Sequence, residues 1–234
     1  MSHSVDPDAF SEQKQLVEAA LALKGEAVEA PTVAEVCAAA QVNVEVFHRH
    51  FHRVAELQPA FYDLIIPQYR ILTGATEGYD DFTFEERLAS FYYIVLDALG
   101  EQRDFVTQTF DTRVRRRSSF RRDVRRALRD ILTGKQVPAP NQLVTGVWPV
   151  HEVLTVVTMA IIRHWIRDDT DKQAATTALV DKLVAFVAEL VTFRGVSRGL
   201  TLAWHIVQHD TLGLRRIPIV GWFVPRPDDP PSSS

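Results

Sequence analysis

The chain has 234 residues, 46% of them hydrophobic and 24% charged, with a net charge of −4. That size and balance exclude wholesale disorder and leave room for one large domain or two modest ones with real cores. Ten glycines and twelve prolines, several of the prolines in the last ten residues, are sparse punctuation that favours long helices over many short strands.

Apolar Leu16, Val17, Ala20, Leu21 and Leu23 predict a helix over Phe10 to Lys24, with Gly25 as its stop. Thr32 with Glu35 forms a capping box that opens a short helix, Val33 to Ala40. After a break at Gln41 and Val42, Asn43 is placed to cap a second short helix from Val44 to about Phe51. Val54 to Leu72 reads as a longer, irregular helix because Pro59 and Pro67 interrupt its hydrogen bonding. Thr83 with Glu86 caps a helix to Leu99, and Asp104 to Leu132 holds one short and one long helix. Residues 133–146 read as loop. Val147–Arg167 and Lys172–Phe193 are strong helices, joined by a tight turn in which Thr170 or Asp171 caps the second. A last helix, Ser197 to His209, precedes an apolar segment, Ile217 to Val224, and a tail of Pro, Asp and Ser.

Two short helices joined by a tight turn make a helix-turn-helix, whose second helix can enter a DNA major groove. Thr32 to Leu57 (TVAEVCAAAQVNVEVFHRHFHRVAEL) resembles the head of the TetR family of transcriptional regulators: Thr32 opens the first helix, Val36 and Ala40 pack it, Val42 sits at the turn and FHRHF ends the second. Val150 to Val191 resembles the C-terminal part of a TetR-like subgroup. The resemblance implies an all-α fold of nine to ten helices. Residues 1–53 would form a three-helix head, residues 54–210 a ligand-binding and dimerisation body, and residues 211–234 an extension. It implies a repressor that binds operator DNA as a dimer and responds to an apolar or amphipathic small molecule. The homodimer would pair through residues 147–167 and 172–193, both of which carry wide apolar surfaces. Thr32, Asn43, Val44, Glu45, His48, Arg49 and Arg53 are the implied DNA contacts.

The chain departs from the family pattern in its turn, where Gln41 replaces the usual Gly, and at His48 and Val54, where Tyr and Lys are usual. Residues 1–57 carry four Lys and Arg against nine Asp and Glu, a net −5. Phosphate neutralisation supplies most non-specific DNA affinity, so an acidic head starts without it. The alternative is a TetR-fold protein that has lost the operator. Such a protein would bind a lipid, another apolar small molecule or an anionic partner through its body.

Nine arginines against three aspartates between Asp111 and Asp130 give that stretch a net +6. Arg121, Arg122, Arg125 and Arg126 read either as a solvated face or as a surface for an anionic partner. Phe61, Phe91, Tyr92, Phe110, Trp148, His151, Thr155 and Met159 supply apolar walls with a few polar groups, as a small-molecule pocket requires. His48 with His52 and His205 with His209 are bare pairs without further ligands, so they read as polar surface histidines and no metal is expected. No cofactor motif or enzyme signature is present, and a non-enzymatic protein is expected. The single Cys37, the polar start and the absence of an apolar run near 20 residues predict a cytoplasmic protein without a membrane span.

Overall fold

A computed structural model describes residues 6–26, 30–137 and 148–192. They form nine α-helices and three short 3-10 segments, and no strand occurs among them. The all-α expectation is met. The predicted helix at Ser197–His209, the apolar segment, the tail, the second histidine pair and most of the 133–146 loop lie outside the described residues, as does the side chain of Trp148.

Helix α1 (Pro7–Glu26) runs through Gly25 to Glu26 instead of stopping at it. A helical glycine costs only about 1 kcal/mol relative to alanine, and α1 buries Leu16, Val17, Ala20 and Leu21. Helices α2 (Val33–Ala40) and α3 (Val44–His50) follow at the predicted places. The Thr32 and Glu35 side chains cap each other's backbone as the Thr-x-x-Glu spacing predicts. Asn43 takes the cap position of α3 through its carbonyl, which accepts from Val46 and Phe47, while its side chain makes no cap bond.

Between them Gln41 has φ 56° and ψ 37°, the left-handed region. Its N–H donates to the Ala38 carbonyl, and the Val42 N–H donates back to the Cys37 carbonyl. This is the bond pattern of a Schellman motif, which turns the chain sharply off α2. Phe47, fully buried, plugs the angle between the three helices.

A 3-10 turn (Val54–Glu56) leads into α4 (Leu57–Ala75). The predicted irregular helix is therefore a 3-10 turn followed by one continuous α-helix. Pro59 falls in the first turn of α4, where no N–H partner is needed. Pro67 lies inside and removes one bond at a cost of roughly 3 kcal/mol. Burial of Phe61, Tyr62, Leu64, Ile65, Ile66 and Tyr69, worth about 1.5–3 kcal/mol each, outweighs it. Helix α4 is the spine of the molecule, packing on α1 at one end and on α5 (Phe84–Gly100) and α7 (Ser119–Leu132) along its length. An unpredicted 3-10 turn, Tyr79–Asp81, precedes α5.

Helices α6 (Arg103–Arg113), α8 (Trp148–Ile166) and α9 (Ala174–Thr192) complete the body. Helix α8 packs on α6, α7 and α9, and α9 packs also on α5. Rings of Phe61, Tyr62 and Phe105 from α4 and α6 meet at 5.3–6.0 Å, with Phe110 and Phe120 beyond Tyr62.

Candidate nucleic-acid interface

On α3, successive residues turn by about 100°. Val44, Glu45, His48 and Arg49 fall within one arc and are exposed; Val46, Phe47 and His50 fall within the other and face the head's core. Asn43 and Arg53 flank the exposed arc and are exposed as well, as is Thr32 at the start of α2. All seven predicted contact residues therefore lie on the outside of the head. Val44 leaves 47% of its surface open. Asn43 and His48 offer hydrogen-bonding groups, and Val44 an apolar one that suits a thymine methyl.

The cationic groups are already engaged. Arg49 Nη1 lies 3.1 Å from Glu12 Oε2, and Arg53 Nε lies 3.2 Å from Glu56 Oε1. His50 Nε2 lies 2.6 Å from Glu12 Oε2, while Gln13 Nε2 lies 3.2 Å from His50 Nδ1. An amide nitrogen only donates, so in the neutral ring Nδ1 accepts from Gln13 and Nε2–H donates to Glu12. The hydrogen bond from His50, with Arg49 beside it, holds the Glu12 carboxyl below the usual carboxylate range. Glu56, which accepts from the His52 N–H and from Arg53, is lowered in the same way. The Thr32 hydroxyl donates to Glu35 at 2.8 Å.

His48 and His52 do not share a helix, because α3 ends at His50 and Phe51 is extended. Both are exposed, in line with polar surface histidines. The described residues contain no group of three or more His, Cys, Asp or Glu positioned to hold a metal ion.

Among the predicted pocket residues, Phe61, Phe91, Tyr92, Phe110, His151, Thr155 and Met159 are all buried. Tyr92 meets Thr158 at 3.1 Å between α5 and α8, and Thr155 donates to the His151 carbonyl. Two depressions open elsewhere and include none of these residues. One, of about 430 Å³, lies beside Tyr93, Trp165 and Thr176. The other, of about 400 Å³, is lined by Arg116, Arg117, Ser118, Arg121, Arg122, Arg125 and Glu152. Of the four arginines predicted as an anionic-partner surface, three line it, and Arg126 instead pairs with Asp123 at 3.1 Å.

Helix α9 is apolar on two sides. Val180, Val184 and Val191 are buried, while Leu179, Phe186 and Leu190 are 39–58% exposed along an adjoining stripe. Val153 and Val156 of α8 are likewise open, at 63% and 49%.

Residues 87–203, half of the chain, match the family described as tetracyclin repressor-like, C-terminal domain. Among solved structures, the TetR transcriptional regulator from Nitrosomonas europaea ATCC 19718 is 18% identical with a TM-score of 0.54, covering 78% of this chain and 99% of that one. That likeness is one of fold. No curated protein matches the chain.

Proposed function

This chain belongs to the tetracyclin repressor-like (TetR) family, and from that premise we propose that it is a ligand-responsive repressor that binds operator DNA as a homodimer. The observation that carries the reading is the segregated surface of α3, with Asn43, Val44, Glu45, His48 and Arg49 outward and Phe47 and His50 inward. In this reading residues 1–53 are the DNA-binding head, and two heads sit about 34–36 Å apart in successive major grooves. Arg49 and Arg53 exchange Glu12 and Glu56 for phosphates. An apolar or amphipathic effector in the body shifts the population between two dimer geometries and draws the heads out of register.

One observation favours a second reading, in which the head is retained and the operator lost. Both arginines near the recognition arc are tied to carboxylates, Glu12 within the head and Glu56 just after it, and residues 1–57 carry a net −5. Fluorescence anisotropy distinguishes the two. The purified protein is titrated into duplex from the region upstream of its own gene and into random duplex, at low and at physiological salt. A repressor prefers the upstream duplex and weakens steeply as salt rises. Equal, weak binding to both duplexes overturns the proposal in favour of the second reading.

A further inference from the structure

The geometry points to a binding site for a compact anion carrying two linked phosphates, in the arginine-lined depression between the turn before α7 and the start of α8. Five arginines line it: Arg116 and Arg117 from the turn, and Arg121, Arg122 and Arg125 from the first two turns of α7. The depression, about 400 Å³, falls in the size range of small-molecule sites. Among the described residues its only acid is Glu152 of α8, which leaves a net +4 along the lining. A single phosphate dianion neutralises half of that, and two linked phosphates most of it.

The pairing within the depression is incomplete. One carboxylate serves two arginines, since Glu152 lies 3.0 Å from Arg121 and 3.5 Å from Arg125. Arg122 reaches Asp123 only at 3.7 Å, and Arg116 and Arg117 make no ion pair among the described residues. Outside the depression Arg126 has a closer partner, Asp123 at 3.1 Å, while Arg129 reaches Asp130 at 3.7 Å. Arginines on a merely solvated face would not gather in a concavity around a shared acid. Arg121 and Glu152 are both less than a quarter exposed, so interactions there are less screened than on an open face. Guanidinium forks match phosphate oxygens two at a time, which an array of lysines would not do. Its volume of about 400 Å³ matches a small anion better than a duplex or a bilayer, whose charged surfaces extend far beyond five side chains. Glu152 then acts as an internal stand-in for the ligand, holding Arg121 and Arg125 in place until phosphates displace it.

The test is isothermal titration calorimetry of the full chain with inorganic diphosphate, with inorganic phosphate and sulfate in parallel. Saturable, submillimolar binding of diphosphate is expected, with phosphate and sulfate each weaker by about tenfold or more. R116Q/R117Q alters two exposed side chains that hold no partner, so it is expected to fold normally and to weaken diphosphate by about tenfold. Glu152→Gln is expected to tighten it several-fold by freeing Arg121 and Arg125, a result that a purely structural ion pair would not give. Circular dichroism checks that each variant keeps its helicity. No saturable heat with either the natural chain or Glu152→Gln overturns the inference. So does an equal response to sulfate, or binding confined to anionic vesicles or to duplex DNA.

Discussion

Gln41 holds a backbone conformation that L side chains resist, at a cost of roughly 1–2 kcal/mol, because the Schellman bonds at Ala38 and Cys37 require it there. Gln41→Gly relieves that strain and gives back part of the gain as unfolded-chain entropy, so a net stabilisation of about 0.5–1 kcal/mol is expected in urea denaturation. The break at Gln41–Val42 was legible because its determinants are neighbours in the chain, as were the two Thr-x-x-Glu capping boxes. The Glu12, His50 and Arg49 cluster was not, since its partners lie 37 and 38 positions apart and nothing local marks them. That cluster sets a second expectation. Glu12→Gln releases Arg49 to a phosphate and removes a negative charge from the head. In the proposed complex Arg49 sits on a phosphate with or without Glu12, so the slope of log affinity against log salt is expected to hold while affinity at low salt rises, the competing carboxylate being gone. An unchanged affinity at low salt in an anisotropy series would mean that Arg49 does not reach the backbone of the duplex.

The junction of α8 and α9 shows what element-level reading catches and misses. The turn was visible in the sequence, with Thr170 or Asp171 as the cap; the helix starts at Ala174 and not at Lys172, after a 3-10 turn over Asp171–Gln173, and Thr170 Oγ1 accepts from the Ala175 N–H at 3.1 Å. The larger role falls to Asp168. Its carboxylate is buried and accepts from the Thr170 N–H and hydroxyl on one oxygen and from the Thr176 N–H and hydroxyl on the other, at 2.5–3.1 Å. Arg103, stacked over Trp165, donates to the Asp168 carbonyl from α6. The sequence presents Asp168 and Asp169 as equivalent paired acids; the hydrogen bonds from Thr170 and Thr176 mark the one that turns inward. The hydrogen bonds from Thr170, then those from Thr176, push the Asp168 pKa far below its ordinary 3.8. A depressed folded value means that the stabilisation is complete above about pH 4 and is lost as pH falls below that toward the folded value. Asp168→Asn is therefore expected to lower the unfolding midpoint at pH 7, since an amide NH2 would face the Thr176 donors. The gap between variant and natural chain is expected to narrow in thermal melts taken progressively below pH 4. Asp169→Asn, altering an exposed side chain, is expected to show neither effect.

At the scale of the whole molecule, α9 is the element that one subunit cannot satisfy. Its inner face is covered by α5 and α8. The adjoining stripe of Leu179, Phe186 and Leu190 is open, and on α8 so are Val153 and Val156. Five apolar groups left about half open, each worth roughly half of the 1.5–3 kcal/mol of a full burial if a partner covered them, favour self-association. The stripe was readable in the sequence as leucines and phenylalanine at spacings of three and four. Its exposure was not, because periodicity does not say whether an apolar face meets the chain's own core or a second copy. If two copies pair through α8 and α9 as proposed, Phe186→Glu places an unpaired carboxylate in the centre of the interface at a cost of several kcal/mol. Sedimentation velocity at micromolar concentration is then expected to show a monomer with unchanged helicity, and operator affinity is expected to fall with it, because one head alone spans half a site. Ala185→Glu introduces the same charge about a third of a turn away on the polar side of α9 and is expected to leave the dimer intact. A natural chain that sediments as a monomer, or a Phe186→Glu variant that remains dimeric, would remove α9 from the interface and with it the fixed spacing of the two heads on which operator recognition depends.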